Sequence, residues 1–549
     1  MYFLRQSVIT AAFAVLSVIS FAQSNDFKTA QSLDIFHSIL RELSLFYVDS
    51  IEVEKLVSTG IDAMLESLDP YTVYIPEEVA GDFDFIITGQ YGGMGALIKK
   101  APSGIVISEP YKGFPADKAG LVAGDTILEI DGESAGAMDV STASKRLKGA
   151  VGTTLPLKVI KLRGGDTLAM QLTRDRIHIS DITYSGMLSG GIGYIRVSSF
   201  TKDGSRDFRN AFTALRQTGS LEKLIIDLRS NSGGSLEEAV NLVGLFVPRN
   251  TEIVASRGRI KQFDRVYKTK EAPLDTEIPV AVLVNSLSAS AAEIVAGSLQ
   301  DLDRAVIIGS RTFGKGLVQT VSSLGYNAQL KVTTAKYYIP SGRCVQAIDY
   351  SHRNEDGSVG HLPDSLTRPF KTKNGRTVYD GGGITPDILS ESASYAKITY
   401  DIAARDMLHD FSIRYFAGHP AIDAPENFRL TDEEYHQFAA YAADRPFDDR
   451  TTTELLLAQL ESSIKAEHLY EVAKAELDTL HAKVSRDKRS KLLLFRPELQ
   501  QLLENEICAR YYYDEGRFRS ILRHDRQADA AISLLNDADA YAKQLGLQN

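Results

Sequence analysis

Residues 279–299 read PVAVLVNSLSASAAEIVAGSL. Val280 to Val284 is an unbroken apolar run of strand length, the residues after it are polar and turn-forming, and a helical pattern begins near Ser290. Strand, turn and helix in that order predict one βα unit of an α/β core, since a strand buried on both faces reads as continuously apolar. A serine at such a junction gains from its place: the helix N-terminus exposes unpaired N–H groups and a partial positive charge, which hold an oxyanion and favour an ionised oxygen. The plainer alternative is that Ser288 and Ser290 only cap the helix.

Downstream, residues 309–319 read GSRTFGKGLVQ. Read as an extended strand, Lys315, Leu317 and Gln319 face the same way. Gly314 and Gly316 let backbone pack close around Lys315, and a lysine held in a dry pocket loses proton affinity because its charged form is desolvated. Alone, such a lysine also fits a surface side chain that snorkels into water.

Upstream, helical spacing runs from Ala30 to Tyr47 and from Val53 to Leu68, the second stretch ending at Asp69-Pro70. From about Ile86 to Arg174 the pattern changes to short strands separated by glycine-rich turns. Two βα-like units follow between Gly191 and Ile308. After GGGITPD (381–387) long helical patterns fill the rest, with a capping box at Thr431-Asp432-Glu433-Glu434 and helices expected over Thr453–Ala482 and Pro497–Tyr512. This C-terminal part is expected to be a separate helical domain serving packing or dimerisation.

In the β-rich insert, GFPADKAGLVAGDTILEIDG (113–132) implies short helix, turn, strand, turn, and Gly92-Gly93-Met94-Gly95 leads into a strand at Ala96-Leu97-Ile98. Consecutive N–H groups of a glycine loop make a nest for a terminal carboxylate, and the strand edge beside it can add a peptide as a further strand. The segment resembles a PDZ domain of the kind found in bacterial proteases, which implies peptide binding at Gly93, Met94, Gly95 and Ala96.

Taken in order, LDPYT (68–72), DLRSNSGG (227–234), NSLSASAAEI, TFGKGLVQ, YYIPSGR (337–343) and GGGITPD resemble the C-terminal processing and tail-specific peptidases, serine proteases of the S41 type. The resemblance spans about Asp26 to Asp387. It implies an α/β multidomain chain with a ββα crotonase-like protease core, an inserted PDZ domain, N-terminal helices and a C-terminal all-α domain. The corresponding limits are 1–22 for a signal peptide, 23–85 for the N-terminal helical segment, 86–176 for the PDZ-like domain, 177–390 for the core and 391–549 for the helical domain. It further implies that Ser290 is the nucleophile, Lys315 its base and Gln319 a support for the lysine. The oxyanion hole would use backbone N–H groups of Ala291 and of Gly233 or Gly234. Ala292 stands where many relatives carry another serine.

These roles describe a serine endopeptidase that acts near or from protein C-termini through an acyl-enzyme, with no cofactor and no metal. Three other readings stay open. A Ser-His-Asp triad lacks a GxSxG elbow, and His37, His178, His352 and His361 sit in no motif. A catalytically silent PDZ scaffold would be expected to have lost Ser290 or Lys315. An acyl-CoA enzyme on a crotonase-type core does not suit an exported chain.

Export is expected from residues 1–22, where Arg5 precedes an apolar run ending in Ser20-Phe21-Ala22, which reads as a signal peptide more readily than as a membrane anchor. The expected location is therefore periplasmic or secreted, without stable membrane insertion. The net charge of −10 and the lack of basic blocks exclude nucleic acid as a partner. Expected partners are proteins or peptides with free apolar C-termini, with self-association possible through the C-terminal helices. Cys344 and Cys508 are expected as free thiols, and no HExxH or CxxC spacing offers a metal site.

Overall fold

The computed structural model describes residues 26–102, 104–354 and 357–547; the expected signal peptide lies outside them. The described chain divides into two compact units, a smaller one of residues up to 80 together with 319–333, and a larger one with the remainder. In the smaller unit, helix α1 (26–46) is followed by α2 (Val53–Glu66). Both form where apolar residues recur at helical spacing, although Leu33, Phe36 and Ile39 of α1 stay solvent-exposed. Past Pro70, Asp69 Oδ1 accepts the N–H groups of Tyr71 (2.8 Å) and Thr72 (2.9 Å), closing the turn that ends α2. Val73–Ile75 then pairs antiparallel with Gln329–Lys331.

The larger unit opens with an antiparallel sheet whose spatial order is also its sequence order: β1 (Ala96–Ala101), β2 (Gly104–Pro110), β3 (Thr126–Ile130), β4 (Thr154–Ile160) and β5 (Thr167–Thr173). Ile105, Ile107, Ile127, Ile130, Leu155, Leu157 and Val159 form its core with Ala143 and Leu147 of helix α3 (Val140–Leu147). Asp139 caps α3 by accepting from the Thr142 N–H (2.7 Å).

The α/β core follows: β6 (Ile182–Leu188), β7 (Ile192–Val197), α4 (Gly204–Gln217), β8 (Lys223–Asp227), α5 (Leu236–Gly244), β9 (Val280–Val284), α6 (Ala291–Asp301) and β10 (Val306–Gly309). The sheet runs β6-β7-β8-β9-β10 and ends on Ile388–Leu389, antiparallel only between β6 and β7. Both faces are covered. Leu224, Ile226, Val280, Val282 and Val284 pack with Phe208, Phe212, Val243, Val295 and Leu299 from α4, α5 and α6. The alternate residues Ile225, Ala281, Leu283 and Ile308 face the other way. This two-sided burial is why β9 is apolar at every position.

After the core come α7 (Lys397–Ala404), α8 (Met407–Gly418), α9 (Asp432–Ala443), α10 (Thr452–Ala466), α11 (Tyr470–Val484), α12 (Lys488–Leu494) and α13 (Arg496–Ile521), then α14 (Arg526–Leu535) and α15 (Ala538–Gln544). Phe411, Tyr435, Phe438, Leu499, Leu503 and Ile507 form a helical core of their own. The capping box at Thr431 is present, with Thr431 N–H donating to Glu434 Oε2 (2.8 Å). The helical pattern over 453–482 is carried by two helices, α10 and α11, with a break where His468 takes φ +60°. Helix α13 runs nine residues past the expected end, with a kink at Tyr513 (φ +57°, ψ −158°).

The larger difference lies at the C-terminus. Ala528, Ala531, Leu534 and Leu535 of α14 pack on Tyr194, Ile225, Ala281 and Leu283, so α14 is the second helical layer of the α/β sheet. The C-terminal helices thus have a core of their own and also cover one face of the α/β sheet. Helix α13 also grips the PDZ-type sheet: Glu109 of β2 pairs with Arg510 (3.4 Å) and Arg517 (3.1 Å), and Arg510 Nη1 donates to the Ser108 carbonyl (2.8 Å). Cys344 and Cys508 are free thiols. Among the described residues, no helix is long and apolar enough to cross a membrane.

Candidate active site

Strand β9 delivers the chain into a turn tied down at several points. Buried Ser288 accepts the Asn285 N–H at Oγ (2.9 Å) and donates that hydroxyl to the Leu228 carbonyl (2.8 Å), and the Ala289 N–H donates to the Asn231 carbonyl (2.9 Å). Ser288 is thus the structural serine of the pair. Ser290 follows at the first turn of α6, partly exposed, with φ +55° and ψ −114°. An L-residue takes such a conformation only when its surroundings impose it. Its carbonyl accepts from the Tyr337 hydroxyl (3.1 Å).

Lys315 lies in the loop between β10 and the strand Leu317–Ser323, not within a strand as its spacing suggests. The reason is the crowding around its neighbours. A Cβ on Gly314 would stand 2.3 Å from the Ala347 Cβ, and one on Gly316 would stand 2.7 Å from the Gln346 nitrogen. The Gly316 N–H is taken by Gln346 Oε1 (2.7 Å), a side chain, in place of a ladder partner. The expected close packing of backbone about Lys315 is present.

One side chain joins the two segments. The carboxylate of Glu293, wholly buried in α6, accepts four hydrogen bonds: Oε1 from the Thr312 hydroxyl (2.6 Å) and the Gly314 N–H (2.8 Å), Oε2 from the N–H groups of Ser290 (2.8 Å) and Lys315 (2.8 Å). The backbone nitrogens of Ser290 and Lys315 therefore lie within twice that distance of each other. Burial raises the Glu293 carboxyl above its ordinary range, opposed by the donors from Thr312, Lys315, Ser290 and Gly314. A second tie is the Phe313 N–H, which donates to the Ser288 carbonyl (3.0 Å). In the sequence Glu293 serves only as a landmark three residues after Ser290, and its bridging role is invisible there. The one available signal is a lone carboxylate amid SASAAEIVAG.

The DLRSNSGG loop reaches the same place. A Cβ on Gly233 (φ +106°) would come within 2.8 Å of the Ser290 Cβ and 3.0 Å of the Ala291 nitrogen, so the loop abuts the start of α6. The Gly233 N–H is engaged, donating to Asn231 Oδ1 (2.8 Å), whereas Gly234 is exposed. Ala292, at the position of the absent serine, is fully buried in the apolar core between sheet and helices.

Gln319 belongs to the smaller unit, where its Nε2 donates to Thr333 Oγ1 (3.2 Å). The PDZ-type loop brings together the two strings singled out in the sequence. Buried Met94 accepts the Ala116 N–H at its carbonyl (2.8 Å), Gly95 accepts that of Tyr111 (2.9 Å), and a Cβ on Gly95 (φ +74°) would stand 2.5 Å from the Phe114 Cβ. Gly93 closes a strand paired with Asp175–His178, and Ala96 opens β1. Of the histidines considered for a triad, His178 bonds Asp207 (3.0 Å) and His352 bonds Asp349 (2.7 Å).

The peptidase family S41 model matches residues 191–351, a PDZ domain model matches 106–161, and the model of the C-terminal helical domain of a probable PDZ-protease matches 398–535. A carboxy-terminal-processing protease of Bartonella bacilliformis is 36% identical over 347 residues, which is 62% of this chain and 79% of that protein. A probable CtpA-like serine protease of Staphylococcus aureus is 31% identical over 343 residues, 62% of this chain and 68% of its own. Among solved structures, a photosystem II D1 C-terminal processing protease is 26% identical, with 65% of this chain and 92% of that chain covered and a TM-score of 0.33.

Proposed function

This chain belongs to the carboxy-terminal-processing proteases of peptidase family S41, with a PDZ domain and an α/β core, and on that premise we propose that its serine-type peptidase activity rests on Ser290 as nucleophile and Lys315 as general base. Neutral Lys315 takes the hydroxyl proton as Ser290 attacks the scissile carbonyl. The proton passes to the leaving amine, and water then hydrolyses the acyl-enzyme. The oxyanion is received by the N–H of Ala291 at the start of α6 and by that of Gly234. Gly234 is preferred to Gly233 because the Gly233 N–H already donates to Asn231. The observation that carries the reading is the single Glu293 oxygen that accepts the N–H groups of both Ser290 and Lys315.

The test is covalent. A fluorophosphonate probe should label the protein once, at Ser290, as read by peptide mass, and Lys315→Ala should slow that labelling. Labelling elsewhere, or labelling indifferent to Lys315→Ala, would overturn the assignment.

For the substrate, we read the loop Gly93 to Ala96 as the seat of a free carboxylate, with the peptide lying along β1 as an added strand. Substrates with a free apolar C-terminus are then preferred. Amidating that terminus removes charge-assisted hydrogen bonds of roughly 1.5–3 kcal/mol, which corresponds to about a tenfold to hundredfold lower kcat/KM. Equal rates on the free and amidated peptides would retire C-terminal recognition and leave the Ser290 chemistry in place. Gly95→Val should have the same effect on the free peptide, because there is no room for its side chain against Phe114. We place the enzyme outside the cytoplasm, exported by residues 1–22. Exposed Leu456, Leu460 and Val472 on α10 and α11 are the apolar surface we assign to self-association through the C-terminal helices.

A further inference from the structure

Arg229, in the DLRSNSGG loop, is held by two carboxylates, one two residues before it and one 296 positions further along the chain. Its Nε donates to Asp227 Oδ1 (2.9 Å) and its Nη2 to Asp227 Oδ2 (2.9 Å). Its Nη1 and Nη2 also donate to Asp525 Oδ1 (2.9 Å) and Oδ2 (2.6 Å), a second bidentate pair. Tyr194 and Gln527 supply further partners at 3.0 Å. The cluster is buried, with the Arg229 and Asp525 side chains 13% and 7% exposed and Asp227 not at all.

Charge shows what Asp525 is for. Asp227 already has a cation of its own, Arg196 Nη1 at 2.6 Å. Two arginines and two aspartates leave the cluster neutral, and without Asp525 it would hold a buried uncompensated cation. Asp525 also caps α14, accepting the N–H groups of Gln527 and Ala528 (both 3.1 Å), and α14 is pinned to the sheet by its apolar face. The carboxylate is therefore a fixed point. From Arg229 the loop passes through Ser230 (φ +59°) to Asn231, which receives the N–H groups of Gly233 and Ala289, and then to Gly233, which abuts Ser290.

We infer that Asp525 is a positioning residue for the oxyanion-side loop: through its double hydrogen bond to Arg229, the C-terminal module holds residues 230–234 against the start of α6. The inference rests on the oxyanion role proposed for that loop. It makes the C-terminal helices a contributor to the chemical step, beyond packing or dimerisation.

Asp525→Asn separates the two functions of the residue. Asparagine caps a helix as well as aspartate does, but it places an amide donor against a guanidinium donor. The expected result is a kcat at least tenfold lower with KM within twofold. The rate of fluorophosphonate labelling at Ser290 should fall in parallel, because the phosphoryl oxygen of the probe occupies the oxyanion site. Asp525→Glu should recover part of both rates. An unchanged kcat in Asp525→Asn overturns the inference. So does a loss that Asp525→Glu fully shares and that vanishes on cooling to a temperature where both variants are fully folded, since that is a packing defect. Labelling of the unaltered protein is measured in the same series. Normal labelling beside an unaffected Asp525→Asn variant sinks the inference alone, whereas no labelling at Ser290 of the unaltered protein sinks the reading beneath it.

Discussion

Ser290→Gly should be inactive and melt at a higher temperature than the unaltered enzyme, while Ser290→Ala should be equally inactive and melt near it. Loss of the nucleophile removes the covalent route, which in serine proteases costs on the order of 10⁴- to 10⁶-fold in kcat. The stability half of the expectation comes from the backbone. Ser290 sits at φ +55°, ψ −114°, in a region where a Cβ is crowded, at a cost of about 1–3 kcal/mol. Alanine keeps the Cβ and with it the strain. Glycine releases the strain and gives back a few tenths of a kcal/mol as a poorer helix cap. A gain of about 1–2 kcal/mol in a chain of this size raises the melting point by a few degrees at most. Scanning calorimetry beside a peptide-cleavage assay decides both halves. Turnover surviving in either variant rules out Ser290 as the nucleophile, and a glycine variant that melts lower shows that the turn is not strained.

Glu293→Gln should reduce kcat by about 10²-fold or more and lower the melting temperature. The carboxylate presents acceptors to four donors, two on each oxygen. Glutamine keeps one acceptor oxygen and turns an NH₂ group toward the other pair of donors, leaving two buried donors without acceptors at roughly 1–3 kcal/mol each. If Oε2 is the oxygen lost, the N–H groups of Ser290 and Lys315 lose their common anchor. Acid should imitate the loss of the anchor but not the loss of stability. The folded Glu293 carboxyl has its pKa raised by burial, so the folded state binds this proton more readily than the unfolded state. Between the ordinary value of 4.5 and the raised one, this group therefore adds stability as pH falls and loses it as pH rises. Activity should accordingly decline on acidification through that window without unfolding caused by Glu293. Wild-type kcat and melting temperature in Glu293→Gln would show that the bridge is not needed.

The sequence by itself was enough for what local pattern and motif order encode. The continuous apolar run of β9, the polar turn and the helix from Ala291 mark a βα unit because side chains repeat along a strand or helix with the period of that element. The glycines at 314 and 316 announce close backbone packing, and the order of the motifs points to peptidase chemistry. Where neighbours along the chain do not decide, local pattern misleads. Lys315 follows a strand pattern but lies in a loop, since the Gly316 N–H bonds the Gln346 side chain, 30 residues away. The stretch 453–482 has a helical pattern throughout, yet the chain reverses at His468 and lays α11 back beside α10. Only the tertiary structure decided that Glu293 joins Ser290 to Lys315, that α14 is a layer of the α/β core, and that Asp525 meets Arg229 across 296 positions. The physical reason is common to all three: a buried carboxylate is stable only with donors or cations around it, and those partners come from segments whose own local patterns carry no mark of one another.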